Sequence, residues 1–238
     1  PCAYLDEMQD ALQKEFGLET STTTLLAVVR ALDYTNKHVS KCALERDDSQ
    51  CAVFWYVIGK IAPDPNMLVF LDEASKNEKT PGQLKGWLLR GTRVYQRWCF
   101  IHGKWYSILP AITLNGIVAR EIVDGLVTTK QFCDFLRYYV IPLTNPYPGP
   151  RSCIVLDNCS IHHSEEVRKI IEDEAECKMI FLPSYSPDYN PIKLAFSAIK
   201  AYLCCHYEDS CLMTIHDACD SIGPWKALEW FRICGYYS

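Results

Sequence analysis

The chain has 238 residues, a net charge of −5 and a hydrophobic fraction of 49%. That apolar content fills a real core, for one large domain or one domain plus a small one, and excludes a disordered or low-complexity chain. The acidic balance argues against non-specific nucleic-acid binding by the chain as a whole, and no apolar run reaches the length of a membrane span. The 13 cysteines are an odd number scattered through apolar runs, so they read as buried thiols of a reducing compartment and not as a disulfide framework. Cys204-Cys205-His206, with Cys211 and His216, is the best zinc-like cluster, but it lacks the C-x₂-C spacing of a zinc site. The chain opens on Pro1 where a full gene product has Met, as expected of a fragment or a processed product.

Leu5, Met8, Leu12 and Phe16 form one apolar stripe of a first helix, and Gly17 is placed to end it. Ser21 or Thr22 then caps a second helix carrying Leu25, Val28, Val29 and Leu32. Two helices joined by a short Gly-containing turn fit either a helix-turn-helix, with Arg30 on its second helix, or a plain helical pair. Residues 1–45 are thus a small helical segment, and 46–66 a connector with a helix over Ala52–Ile61. Pro63-Asp64-Pro65 marks a stop and a domain boundary.

Met67–Leu71 reads as a buried strand. The stretch after it is locally basic, with seven Lys and Arg from Lys76 to Lys104 against Glu78 alone. Arg90, Arg93 and Arg97 suit phosphate, Lys104 adds charge, and Trp87, Tyr95 and Trp98 interleave them as stacking platforms; a solvated loop is the plain alternative. His102-Gly103 fits a hairpin turn between Arg97–Ile101 and Lys104–Ile112, and Ile117–Ile122 a third strand after Asn115-Gly116. An amphipathic helix starts at Thr128 or Thr129 and carries Phe132, Phe135, Leu136 and Tyr139. The proline-rich loop Asn145–Pro150 follows, then a strand over Cys153–Leu156. Ser164 caps a helix to about Glu174, Cys177–Leu182 is a short strand, and Pro191 opens a long helix to about Cys205. Residues 206–238 read as a helical extension packed through Trp225, Trp230 and Phe231.

Two of these strands end abruptly in an acid: Met67–Leu71 in Asp72-Glu73, and Ile154-Val155-Leu156 in Asp157-Asn158. Carboxylates at the C-terminal tips of buried strands sit where α/β sheets place their ligands. Two such tips are the minimum of a two-metal carboxylate site, and a third acid is expected on the helix after Ser186-Pro187-Asp188-Tyr189-Asn190-Pro191. That position holds Lys193. The order of elements, antiparallel strands followed by alternating strands and helices, resembles the ribonuclease H-like fold: a mixed α/β sheet flanked by helices, here spanning residues 67–205.

Leu156-Asp157-Asn158-Cys159-Ser160-Ile161-His162-His163, then Phe181-Leu182-Pro183-Ser184-Tyr185-Ser186-Pro187-Asp188-Tyr189-Asn190-Pro191-Ile192, resembles the catalytic core of mariner-type DDE transposases. Leu71-Asp72-Glu73-Ala74-Ser75 is similar to that family's first acidic motif, and the N-terminal helical pair to part of its DNA-binding region. The resemblance implies DNA strand cleavage and transfer by two divalent metals, Mg²⁺ or Mn²⁺, held by three acids. It implies double-stranded DNA of the transposon-end type as partner, a homodimer as assembly and a nuclear location. Asp72 and Asp157 match the first two acids. The third falls on Lys193, with 35 residues between it and Asp157, so the register fits and the charge is reversed. The expected consequence is weakened metal binding, or alternatively a Lys193–Asp157 pair that mimics a metal's charge. Asp188 and Glu73 read plainly as a turn residue and an outward neighbour of Asp72, with substitute ligands as the lesser alternative. The overall expectation is a transposase-like protein that keeps DNA binding and is catalytically impaired. A non-catalytic DNA- or protein-binding scaffold is the alternative. His162 and His163 fit either a general base or metal ligand or a hydrogen-bonded helix entry, and Asn158 either a phosphate contact or a turn cap.

Overall fold

The computed structural model describes residues 5–34, 45–76, 106–206 and 212–237. The chain divides into two units, Pro1–Leu44 and Glu45–Ser238.

The first unit is the helix pair, α1 (Leu5–Phe16) and α2 (Thr22–Ala31). Gly17 takes φ +66 and closes α1, with its N–H on the Gln13 carbonyl and the Leu18 N–H on that of Leu12. Ser21 is the cap of α2, its hydroxyl accepting from the Thr24 N–H. Leu25 is the buried anchor of α2, and Arg30 is exposed in its last turn.

The second unit opens with α3 (Asp48–Ile61), four residues earlier than Ala52 because the Asp47 carboxylate caps the N–H groups of Ser49 and Gln50. Cys51, Phe54 and Ile58 are its buried stripe. The Pro63-Asp64-Pro65 turn ends the helix without dividing a core, since Phe54, Ile58 and Ala62 pack in the same cluster as the strands that follow.

Those strands are β1 (Leu68–Leu71), β2 (Ala74–Lys76), β3 (Tyr106–Thr113), β4 (Gly116–Asp124), β5 (Cys153–Leu156) and β6 (Lys178–Phe181). They form one sheet in the order β2-β3-β1-β5-β6, with β4 on β3. β1 and β2 lie along one line: Leu71 faces Ala111 and Ala74 faces Ile108 in a single antiparallel register. The interruption at Asp72-Glu73 falls opposite Pro110, which has no N–H to offer the ladder. The β3–β4 hairpin turns at Gly116, where φ is +95 and a Cβ would run into the Ile222 carbonyl. The expected strand at Ile117–Ile122 extends to the whole of β4. The His102-Gly103 turn, the Arg97–Ile101 strand and the basic stretch lie outside the described residues.

Helices cover both faces, which is why β1 and β5 are apolar without alternation. Val69, Leu71, Ile154 and Leu156 face α4 (Thr129–Phe135, running on as a π-helical turn, Leu136–Val140) and α5 (Glu165–Arg168, running on likewise through Lys169–Glu174). Leu68, Phe70, Cys153 and Val155 face the other way, into a core shared with α3, α6 (Pro191–Cys205), α7 (Leu212–Asp220) and α8 (Pro224–Ile233). This mixed sheet between two helical layers is the ribonuclease H-like architecture.

Phe70 is the centre of the second core, fully buried between the rings of Phe231 at 5.3 Å and Tyr236 at 5.0 Å. Phe70→Ala is expected to destabilise the second unit by about 3–5 kcal/mol in urea unfolding, as for a large core side chain whose cavity does not collapse. A loss below about 1 kcal/mol would mean that this core repacks freely.

Candidate functional site

β1 and β5 are parallel neighbours, with Leu68 beside Cys153 and Phe70 beside Val155. Carrying that register two residues onward sets Asp72 beside Asp157, at the ends of both strands. The loop after β6 then brings α6 back over the same tips, and Asn190-Pro191 starts it there. Pro191 stands in the first turn and Asn190 is the cap, its Oδ1 accepting the Ile192 N–H at 3.3 Å. Two residues into the helix, Lys193 reaches the strand ends.

Asp72 is 2% exposed and every oxygen is engaged. Oδ1 accepts the Glu73 N–H at 2.8 Å. Oδ2 accepts the Asn190 amide at 2.9 Å and faces Lys193 Nζ at 2.6 Å. Burial pushes the Asp72 carboxyl up to about 6, and the nearby acids Asp157 and Glu73 add to that. The Lys193 ammonium is what holds it down. At neutral pH the buried group is therefore a carboxylate paired with Lys193. The expected Lys193–Asp157 pair is corrected here: the ammonium sits on Asp72, because Asp157 already has a cation of its own.

That cation is His162. Its ring is fully buried in a short 3₁₀ turn, Ser160–His163, with Phe132 at 4.6 Å. Nδ1 donates to Asp157 Oδ1 at 2.8 Å, and Nε2 faces Glu73 Oε2 at 3.3 Å without hydrogen-bond alignment, leaving both atoms buried and otherwise unpartnered. Burial disfavours the imidazolium, but Asp157 and Glu73 together override it and push His162 up to about 9. Burial likewise works against the Asp157 carboxylate. His162 and the Cys159 N–H, which donates to Oδ1 at 3.0 Å, hold it below the usual carboxylate range.

The other sequence-derived candidates fall as follows. Glu73 turns inward to His162, with Cys159 Sγ at 3.6 Å from its second oxygen, so it is a member of the cluster and not an outward neighbour. Asp188 is taken by Arg46 at 2.7 Å, and Arg46 also donates to the Tyr189 hydroxyl at 2.9 Å. Neither acid is free to stand in as a metal ligand. Asn158 ties the β5 tip to the β6 tip, donating to the Leu182 carbonyl at 2.8 Å and to Ser184 Oγ at 3.2 Å. Arg30 belongs to the first unit, and Arg90, Arg93, Arg97 and Lys104 lie outside the described residues. Of the zinc-like residues, Cys211 lies outside them too, His216 accepts from Arg120 Nε at 3.0 Å, and His206 stacks on Tyr202 at 4.1 Å.

The side chains present do not fit a pair of divalent ions. Asp72 Oδ2, an oxygen that would have to face a metal, faces an ammonium and an amide instead. Among the described residues no group of three or more His, Cys, Asp or Glu is placed to hold a metal. The cluster instead carries counter-charges of its own: three carboxylates share two side-chain cations, one charge short of balance. It opens on a pocket of about 430 Å³ whose walls include Asp157, Asn158, Tyr185, Ser186 and Lys193.

Residues 67–209 match the DDE superfamily endonuclease family, and the chain belongs to it. No curated protein matches the chain. Among solved structures, the fold is similar to a Mos1 transposase paired-end complex with left transposon end, at 17% identity and a TM-score of 0.54, over 100% of this chain and 80% of that one. A Mos1 mariner paired end complex with Mn is similar at 16% identity and a TM-score of 0.53, over 100% and 81%. The catalytic domain of Mos1 mariner transposase is similar at 14% identity and a TM-score of 0.53, over 84% and 91%.

The His162 network carries a pH signature. Its folded value of about 9 lies above the ordinary 6.5, so its contribution to stability is complete below pH 6.5 and is lost as pH rises through about 9. The difference in unfolding free energy between the natural chain and His162→Gln is expected to shrink by about 3 kcal/mol over that window, in urea titrations at stepped pH. A pH-independent difference would mean that folding leaves the proton affinity of His162 unchanged.

Proposed function

We propose that this chain is a transposase-like DNA-binding protein in which Lys193 stands where active relatives carry the third acid, and that metal-dependent strand cleavage is disabled. The observation that carries the reading is the 2.6 Å contact between Lys193 Nζ and Asp72 Oδ2. Membership of an endonuclease family supports a DNA-processing ancestry. The likeness to Mos1 structures bound to a transposon end or to Mn supports DNA as the partner and divalent ions as the family's cofactors.

The electrostatics favour loss of metal over retention. Two unit charges 4 Å apart interact by about 4 kcal/mol at an effective dielectric of 20. An ammonium in place of a carboxylate turns an attraction for a divalent ion into a repulsion. Even after solvent screening, affinity falls on the order of a hundredfold or more.

Titration calorimetry with Mn²⁺ tests this directly. The natural chain is expected to give no binding heat up to millimolar metal. Lys193→Glu is expected to bind, and its melting temperature to rise on adding Mn²⁺. Equal binding by both chains would overturn the reading and make an active nuclease the better one.

DNA binding has its own test. Affinity for duplex DNA is expected to fall steeply with salt, and charge reversal of Arg93 and Arg97 together to flatten the slope by about two, at roughly one unit per phosphate contact. No binding, or binding that salt does not change, would leave a protein-binding scaffold as the reading.

A further inference from the structure

β6 is the last strand of the sheet on the β5 side. The Lys178 N–H donates to the Ser152 carbonyl and the Leu182 N–H to that of Leu156, both toward β5. In a parallel pair the residues between such donors turn their N–H and C=O groups the other way. The outer edge of β6 therefore carries the main-chain groups of Met179 and Phe181. Among the described residues nothing hydrogen-bonds them.

Beside that edge lies a groove of about 500 Å³. One wall is the strand itself, since every residue from Met179 to Pro183 lines it. Met179 and Phe181 turn to one face of the sheet and Ile180 to the other, so a groove that touches all three runs along the edge and not over a face. The other wall is α3, through Val53, Val57 and Ile61. These three form a second apolar stripe beside the buried one of Cys51, Phe54 and Ile58, and Val53 is 61% exposed. A further strand would lie about 4.8 Å out from β6. α3 walls that position with apolar side chains, as it would wall a strand already there.

Two features select the occupant. Unpaired main-chain groups call for an extended segment, because a helix satisfies its own. The α3 stripe calls for apolar side chains at alternate positions, those that turn toward the helix. Lys178, exposed at the start of β6, adds a charge: its ammonium rests over the Tyr147 ring at 5.6 Å, and among the described residues no carboxylate pairs with it. We propose that the outer edge of β6 is a docking site for an extended, apolar segment of a partner protein, which adds to the sheet as its next strand. Its alternate side chains pack on Val53 and Val57, and an acid at one end meets Lys178.

Amide exchange of the full chain, followed by NMR, tests the proposal. In the free chain the Met179 and Phe181 N–H groups are expected to exchange about tenfold faster than that of Ile180, which is paired into β5. The probe is a short labelled peptide of alternating valine and threonine that opens on glutamate. It is expected to bind with a dissociation constant on the order of 100 µM, because β6 is short, and to slow both outer amides to the rate of Ile180. N-methylation of the peptide amides along one edge is expected to abolish binding, and along the other edge to leave it, since an added strand offers only one edge to β6. Val53→Asp is expected to weaken binding about tenfold by setting a charge in the apolar wall. Lys178→Glu is expected to weaken it about threefold, and a peptide opening on lysine to regain the loss. Circular dichroism checks the fold of both variants, whose positions are exposed. Outer amides as slow as Ile180 in the free chain, no peptide binding at millimolar concentration, or N-methylation that acts equally on both edges would each overturn the proposal. Displacement of the peptide by duplex DNA would overturn it too, by giving the groove to nucleic acid. None of the expected results depends on metal, so the outcome is separate from that of the Lys193 experiments.

Discussion

A carboxylate buried to 2% exposure at the end of a central strand has to be either protonated or compensated. Asp72 is that group, and most of the surrounding structure exists in relation to it. The backbone of Glu73, the amide of Asn190 and the ammonium of Lys193 supply its compensation. Two of the three come from the start of α6, so the position of that helix and the charge of Asp72 are coupled. Asn190 does double work, capping the helix with its carbonyl oxygen while donating its amide to the acid.

The sheet makes this convergence possible. β1 and β5 must be parallel neighbours for their two acids to meet, and β1 must break at Asp72-Glu73 for the side chains to leave the ladder. The pairing of β1 and β2 to one partner strand in one register, with Pro110 opposite the break, achieves the second condition. What results is a cluster in which two cations, Lys193 and His162, lie among three acids. Such a cluster gives its acids counter-charges that need no ion. Because removal of one partner from a buried pair leaves an uncompensated charge, the arrangement also resists casual change at Lys193.

The strand tips and their acids were legible in the sequence because fully buried strands read as unbroken apolar runs, and a terminal acid interrupts them. The caps at Ser21 and Ser164 and the first-turn Pro191 were legible because helix ends carry local signatures. Side-chain partnership was less so. Lys193 was expected on Asp157, yet which of two neighbouring acids it reaches depends on where α6 crosses the tips, a tertiary fact. The inward turn of Glu73 follows from the break between β1 and β2, which shows in the sequence only as Pro110, 37 residues further on. For His162 the sequence left a general base or metal ligand and a hydrogen-bonded helix entry both open, and its place between two acids requires knowing that β1 and β5 are adjacent. The π-helical turns that continue α4 and α5 leave no mark on an amphipathic pattern.

The central claim is that Lys193 is the counter-charge of Asp72, and a double-mutant cycle measures that interaction itself. Unfolding free energies of the natural chain, Lys193→Met, Asp72→Asn and the double variant isolate the pair. Lys193 is partly exposed, so a coupling of about 1–3 kcal/mol is expected, with Lys193→Met less stable than the double variant because it alone strands a buried carboxylate. A coupling near zero would contradict the claim and show that Asp72 is stabilised without Lys193.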